Sequence, residues 1–212
     1  MEKEKLSITE LGNPAKPHGE AGIEMLRGMN EHHSAVTGWA LDFLELGAED
    51  IVLDIGCGGG ETLRRMSEKI SEGKLYGVDH SEVSAMLSEK HNMKDVECGK
   101  ISIIKASVEK LPFEENTFDK IITVESFYFW PDPAENLREV RRVLRKGGRL
   151  FIVADINGDA ELDEKDIEGI RKFHLFNPTV AEFRSLLGNA GFTDIRIHTQ
   201  PGEKWVCAEG RK

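Results

Sequence analysis

Ile51-Val52-Leu53-Asp54-Ile55-Gly56-Cys57-Gly58-Gly59-Gly60 is the stretch from which the rest of the chain is read. A short β-branched run meets a glycine-rich turn, and an amphipathic helical pattern follows. Glycines at such a turn let a nucleotide-bearing ligand lie directly against backbone. A dinucleotide fingerprint needs G-x-G-x-x-G. Gly56 and Gly58 fit its first two positions, but Glu61 stands at the third. A carboxylate beside a helix N-terminus repels phosphate there. The turn is therefore expected to suit a cationic or zwitterionic ligand better than a pyrophosphate.

Outward from this turn, strands and helices alternate. Expected strands are Ile51–Ile55, Lys74–Val78, Ile101–Lys105, Lys120–Val124 and Arg149–Ala154. Between them, Leu63, Met66 and Ile70 share a helical face, with Gly73 as the stop. Ser81 caps a helix through about Lys94. Asp132, Pro133 and Glu135 open another as cap, first turn and capping box, which Gly147-Gly148 ends. Thr179 with Glu182 opens a helix ending at Gly191. The chain closes with Ile195/Ile197 alternation, a Gln200-Pro201-Gly202 turn and Trp205–Ala208. Nearly all-apolar strands in repeated βα units imply a parallel sheet covered on both faces. The last two strands, only a turn apart, must pair antiparallel. The fold class is thus α/β, an open doubly wound sheet with a hairpin at one edge. Ligands in such sheets bind beyond the carboxyl ends of the strands.

Before the first strand, Pro14, Pro17, Gly19 and Gly22 mark residues 7–22 as a loop, and helical patterns cover about Ile23–Gly28 and Ser34–Leu46. Residues 1–46 are expected to be a helical cap or lid on a domain spanning 47–212. At 212 residues the chain can form one domain with a substantial core. Its net charge of −10 argues against a nucleic-acid partner. No apolar run approaches a membrane span, and the N-terminus Met1-Glu2-Lys3-Glu4-Lys5 lacks a signal-peptide core. Cys57, Cys98 and Cys207 form no CxxC, so neither structural zinc nor a disulfide framework is expected, and a reducing cytoplasm is the expected compartment.

The strand ends carry the chemistry. Asp79, closing the second strand, can accept both hydroxyls of a ribose, and His80 beside it can cover a ligand. Ala106-Ser107-Val108-Glu109-Lys110-Leu111-Pro112-Phe113 follows the third strand, and Glu125-Ser126-Phe127-Tyr128-Phe129-Trp130-Pro131 follows the fourth. Four aromatics there exceed what a solvated loop carries, so two are expected in the core and two on a pocket wall suited to a sulfonium or another cation.

VLDIGCGGG, the acid in GVDHS, LPFEENTFD and FYFWPDPAENLREVRRVLRKGGRLFIV together resemble the class I S-adenosylmethionine-dependent methyltransferases, over roughly residues 46–155. The small-molecule, methyltransferase type 11-like branch is the nearest in character. The resemblance implies a Rossmann-like seven-stranded sheet of order 3-2-1-4-5-7-6 with strand seven antiparallel, S-adenosylmethionine as cofactor and a small-molecule methyl acceptor. It implies that Asp54, Gly56, Gly58 and Gly60 shape the turn holding the methionine part, that Asp79 binds the ribose diol and that Ser107 and Val108 flank the adenine; Cys57 in the turn and His80 beside Asp79 are expected among the cofactor-binding residues. It places Glu125 near the methionine amine or the substrate entrance. Where many relatives have aspartate, this chain has Ser107, a weaker acceptor for the adenine amino group.

Methyl transfer from a sulfonium is in-line displacement, so catalysis is expected to rest mainly on positioning. If the acceptor must lose a proton, His32, His33 and His174 are the candidate bases. Adjacent helical positions cannot face one way, so at most one of His32 and His33 should reach the pocket, and His33 is favoured. Tyr128 is a second candidate for orienting the acceptor. Residues 155–166 resemble a calcium loop, but Ala160 and Asp166 stand where glycine and glutamate belong, so an acidic solvated loop is expected and no metal site. The rival functions are a nicotinamide-dependent oxidoreductase, which Glu61 disfavours, and an adenosylmethionine-binding protein without catalysis.

Overall fold

The computed structural model describes residues 6–212. The charged N-terminal residues 1–5 weighed for a signal peptide lie outside the described residues, as does the start of the expected cap segment.

The strands are β1 (Ile51–Ile55), β2 (Lys74–Asp79), β3 (Ile101–Lys105), β4 (Phe118–Val124), β5 (Leu144–Ala154), β6 (Thr193–Thr199) and β7 (Val206–Arg211). They form a seven-stranded sheet of order β3-β2-β1-β4-β5-β7-β6. β1 to β5 pair in parallel, and β7 runs antiparallel to both β5 and β6. The helices are α1 (Ile8–Gly12), α2 (Gly19–His32), α3 (Ser34–Leu41), α4 (Glu61–Ser67), α5 (Glu82–His91), α6 (Met93–Glu97), α7 (Pro133–Val143), α8 (Glu164–Phe173) and α9 (Val180–Asn189). Among the described residues, no helix is long and apolar enough to cross a membrane.

Strand alternation divides the core between the two faces. Leu53, Ile55, Ile121, Leu150 and Ile152 pack with Leu137 and Val140 of α7 and Phe183 and Leu187 of α9. Val52, Ile122, Phe151 and Val153 pack with Val36 and Ala40 of α3 and Leu63 and Met66 of α4. Both faces of the central strands are thus apolar, which is why β1, β4 and β5 read as continuous hydrophobic runs.

Several local expectations are corrected. Residues 7–22 are not a loop. Ser7 and Glu10 form a reciprocal capping box that starts α1, and α2 already begins at Gly19. The prolines punctuate the segment without preventing these turns. α3 stops at Leu41 and not Leu46, and a separate helix, α8, follows β5. The helix capped by Ser81 breaks at Asn92, whose side-chain amide donates to Ser88 O and Gly60 O, both at 3.0 Å. Asp132 caps α7 through Glu135 N at 3.1 Å, but the Glu135 carboxylate pairs with Arg138 instead of closing a box. α7 ends at Val143, before Gly147-Gly148, because Leu144 already pairs with Phe118; residues 145–148 bulge before the register resumes at Arg149.

Candidate functional site

The glycine turn after β1 is built by close contact. Gly56 has φ 73°, and a Cβ there would lie 2.4 Å from Ser126 Oγ, which itself donates to Ile55 O at 3.0 Å. A side chain at 56 would therefore push β1 and β4 apart. Gly58 and Gly60 also have positive φ, 50° and 83°. The amides of Gly56 and Cys57 both donate to Val78 O, Gly58 N donates to Asp79 Oδ2 at 3.0 Å, and Gly60 N donates to Cys57 O. A phosphate cradle uses such amides as donors. Here four are committed within the protein, and a carboxylate occupies the position an anion would take.

Glu61 plays a different part from the one its position suggested. Its carboxylate accepts from Arg64 Nε, Arg65 Nε and His91 Nε2 at 2.9, 2.9 and 3.0 Å. The Arg64 guanidinium chiefly, with Arg65 and His91, holds its pKa down at about 2. It is a neutralised ion-pair hub at the helix start. It is Asp79 that takes a turn amide, Gly58 N, which an anion would otherwise use.

Those two acids lie beneath the turn. Asp54 is 1% exposed, and its Oδ2 has no hydrogen-bond partner. Burial first, and the nearby Asp79 charge second, push its pKa up to about 8. Asp79 Oδ1 accepts from Ser81 N at 2.8 Å, while burial raises its pKa against these bonds. A buried, unsatisfied carboxylate oxygen is costly unless a cation or donor reaches it. This site therefore fits a cofactor carrying an ammonium and a sulfonium. Cys57 is also buried, and burial keeps its thiol protonated.

Gly56, Cys57, Gly58, Asp79, His80, Ser107, Val108 and Glu125 line one cavity at the carboxyl ends of the strands, with His33 entering from the α2–α3 junction. Gly60 shapes the turn from behind: a Cβ there would meet Asn92 and Ser88 at 2.5 and 2.6 Å. His80 Nδ1 stays 3.9 Å from Asp79. Ser107 Oγ donates to Glu109 Oε2 at 2.9 Å, so the neighbouring carboxylate, also on the cavity wall, brings an acidic acceptor to that position. Of the four aromatics, Phe127 and Trp130 are buried, Phe129 and Trp130 line the cavity, and Tyr128 turns towards an adjacent groove.

At the far end, Glu125 sits after β4 with φ 53° and is 8% exposed. Its Oε2 accepts from Tyr128 Oη at 2.8 Å and its Oε1 from Asp155 N at 2.5 Å. Burial first and Asp155 second push the Glu125 carboxyl well up, and burial likewise raises the Tyr128 phenol. Tyr128 is thus tied to Glu125 and reaches the cavity only through it. His33 Nε2 lies 4.0 Å from Glu125 Oε2. Burial lowers the His33 pKa to about 4, leaving its imidazole neutral with a lone pair available. His32 is exposed and 3.9 Å from Asp155, and His174 lies on the adjacent groove.

Asn30 and Asp155 were not singled out as site residues from sequence. Asn30 lies against Gly59, within 2.5 Å of a Cβ placed there. Asp155 was weighed only as the first position of a calcium-like loop. Its place after β5, beside the end of β4, was the available signal. That loop's oxygens serve other ends: Asp159 Oδ2 accepts from Val180 N at 2.7 Å, and Asp163 and Asp166 cap α8 and pair with Lys204.

A family model described as a methyltransferase domain matches residues 53–152, from β1 through most of β5. The protein described as uncharacterized methyltransferase YdaC of Bacillus subtilis (strain 168) is 25% identical over 186 residues, covering 87% of this chain and 95% of that one. Sarcosine/dimethylglycine N-methyltransferase of Halorhodospira halochloris is 32% identical over 161 residues, 71% of this chain and 54% of that protein. The crystal structure of an S-adenosylmethionine-dependent methyltransferase from Aquifex aeolicus superposes with a TM-score of 0.72 at 19% identity, over 89% of this chain and 97% of the other. With the strand order, the glycine turn and its acidic floor, these similarities support a class I S-adenosylmethionine-dependent methyltransferase.

Proposed function

We propose that this methyltransferase acts on a small-molecule acceptor, held at the His33–Glu125 end of the cavity while the cofactor occupies the glycine-turn end. The observation that carries this is the acidic floor. Asp54 and Asp79 are buried beneath a turn whose amides are already committed. Bound S-adenosylmethionine supplies an activated methyl group on a cationic sulfur. Asp54 and Gly56 to Gly60 would hold the aminoacyl end, Asp79 the ribose hydroxyls, and Val108 with the Ser107–Glu109 turn the adenine. The net charge of −10 supports a small acceptor over nucleic acid, and the three free cysteines agree with a reducing cytoplasm.

The protein's contribution to the reaction is positional. Leu26, Met29, Asn30, His33 and Thr37 come from α2 and α3 and close the cavity from above. On this reading the segment before β1 is a cap that excludes water. Orientation of reacting groups can supply about 7–11 kcal/mol of the barrier. His33, neutral and facing the cavity, is placed to accept a proton from the acceptor, and Tyr128 fixes the Glu125 carboxylate opposite it.

A thermal-shift panel tests the cofactor assignment. A ligand at about one hundred times its dissociation constant adds about 2.7 kcal/mol of stability. S-adenosylmethionine and its demethylated product should each raise the melting temperature by about 5–11 °C in a domain of this size, and NAD should not. Stabilisation by NAD alone would remove the proposed function.

A further inference from the structure

We infer that His32, His33 and Asp155, backed by Glu125, form a binding site for a divalent transition-metal ion at the acceptor end of the cavity. The inference deepens the reading of His33 and Glu125 as the acceptor wall, and it is independent of cofactor binding. It also departs from the expectation of no metal.

The backbone makes the site possible. Neighbouring residues on a continuous helix point about 100° apart. Here α2 ends at His32, and His33 has φ −84° and ψ 4°, a junction before α3 begins. The two rings therefore converge, with centroids 5.2 Å apart. Asp155 follows β5 and Glu125 follows the adjacent β4, so both carboxylates face the same junction.

The spacing suits an ion better than direct bonding. A possible ligand atom from each of His32, His33 and Asp155 lies within 4.8 Å of the other two. His32 Nε2 is 3.9 Å from Asp155 Oδ2, and His33 Nε2 is 4.0 Å from Glu125 Oε2, both too long for hydrogen bonds. Three nitrogen and oxygen ligands about 2.0–2.2 Å from one ion lie about 3.3–3.8 Å from each other. Side-chain rotation that draws the widest pair in by about 1–1.5 Å would bring the set onto an ion.

Charge gives a second, independent argument. The buried Glu209 is answered by Arg149 at 2.5 Å, and the buried Asp54 and Asp79 lie beneath the glycine turn. Among the described residues, the hydrogen bonds and ion pairs of Glu125 and Asp155 include no lysine or arginine. Two neighbouring carboxylates, one of them buried, are left without a fixed cation, an arrangement that a bound ion stabilises. Tyr128 Oη and Asp155 N meanwhile hold Glu125 in place, as outer partners of metal sites commonly do. Two imidazoles with a carboxylate select zinc, cobalt, nickel or iron(II) over magnesium or calcium. Three protein ligands also leave positions open. With His33 and Glu125 on the cavity wall, an acceptor oxygen or nitrogen could fill one of them.

The full chain, stripped with chelator, would be titrated with zinc(II) by calorimetry and with cobalt(II) by visible absorption. Binding of one ion per chain, weakened at least about tenfold in both His32→Ala and Asp155→Asn, is expected. The absence of both heat and a cobalt band at about 100 μM metal, or binding in either variant as tight as in the parent protein, would overturn the site. S-adenosylmethionine affinity is measured on the same preparations. Its retention in His32→Ala shows an intact fold, and its failure in the parent protein would count against the cofactor assignment and not against the metal.

Discussion

Asp54 carries a proton that the fold imposes on it. Its folded pKa is about 8 against an ordinary 3.8, because burial and Asp79 disfavour the anion. The folded state then binds this proton more tightly than the unfolded chain. The associated stability is fully present below about pH 4 and is lost as pH rises through about 8. In protein without cofactor, Asp54→Asn should flatten the decline of the urea midpoint over that window. Asp79 and Glu125, shifted in the same direction, would leave part of the slope. Identical slopes for parent and variant would show that Asp54 is not protonated by burial. Asp79 invites a binding experiment. Bonds to charged groups are worth about 1.5–3 kcal/mol, so Asp79→Ala should weaken S-adenosylmethionine about 10- to 100-fold by calorimetry. Unchanged affinity would remove Asp79 from the site. Both acids were legible in sequence, because each stands at a fixed offset from a glycine turn or a strand end. Asn30 and Asp155 were not, because each gains meaning only from a neighbour far away in the chain. The shared approach of His32 and His33 was hidden by treating the two as adjacent helical positions, whereas His33 is the junction between α2 and α3.

At the scale of elements, β1, β2 and β3 were legible almost to the residue from their apolar runs, whereas β5 begins five residues before the expected Arg149 and β7 runs on to Arg211. The short helices were not legible. α1 depends on one capping box, α6 follows a break at Asn92, and α8 exposes much of its surface. In α1 and α6 the apolar stripe that announces a helix is weak; α8 has Ile167, Ile170 and Phe173 at helical spacing but buries none of them, and local side-chain bonds decide the boundaries. Ser81 shows how one such bond joins two layers. Its Oγ accepts from Ser84 N at 3.1 Å, capping α5, and donates to Pro17 O at 2.6 Å, tying the N-terminal segment to the sheet. Loss of an N-cap costs about 0.5–2 kcal/mol, and a buried carbonyl left without its donor adds to that. Ser81→Ala should therefore destabilise the protein by about 1.5–3 kcal/mol in chemical denaturation, with a larger effect on cofactor affinity than Ser81→Thr, which keeps the hydroxyl. A loss under about 0.5 kcal/mol would mean that the Pro17 contact contributes nothing.

For the molecule as a whole, one sheet separates two cores. Ile121 packs on the α7–α9 side and Ile70 on the α3–α4 side, and both are almost fully buried. The clusters share no side chains, but they share the strands β1, β4 and β5, whose alternate residues feed each one. This arrangement predicts independence in energy together with unity in unfolding. Ile→Val in a core typically costs about 0.5–1.5 kcal/mol, so Ile70→Val and Ile121→Val should each fall in that range. Distant sites without common partners add within about 0.3–0.5 kcal/mol, so the double variant should equal the sum. Because neither core can be lost while the central strands remain folded, all three variants should still unfold in a single transition, with coincident fluorescence and circular-dichroism midpoints. A second transition in either single variant would show that the two faces of the sheet melt separately. The cavity, which draws His33 from one layer and Glu125 from the strand ends, would then open well below global unfolding.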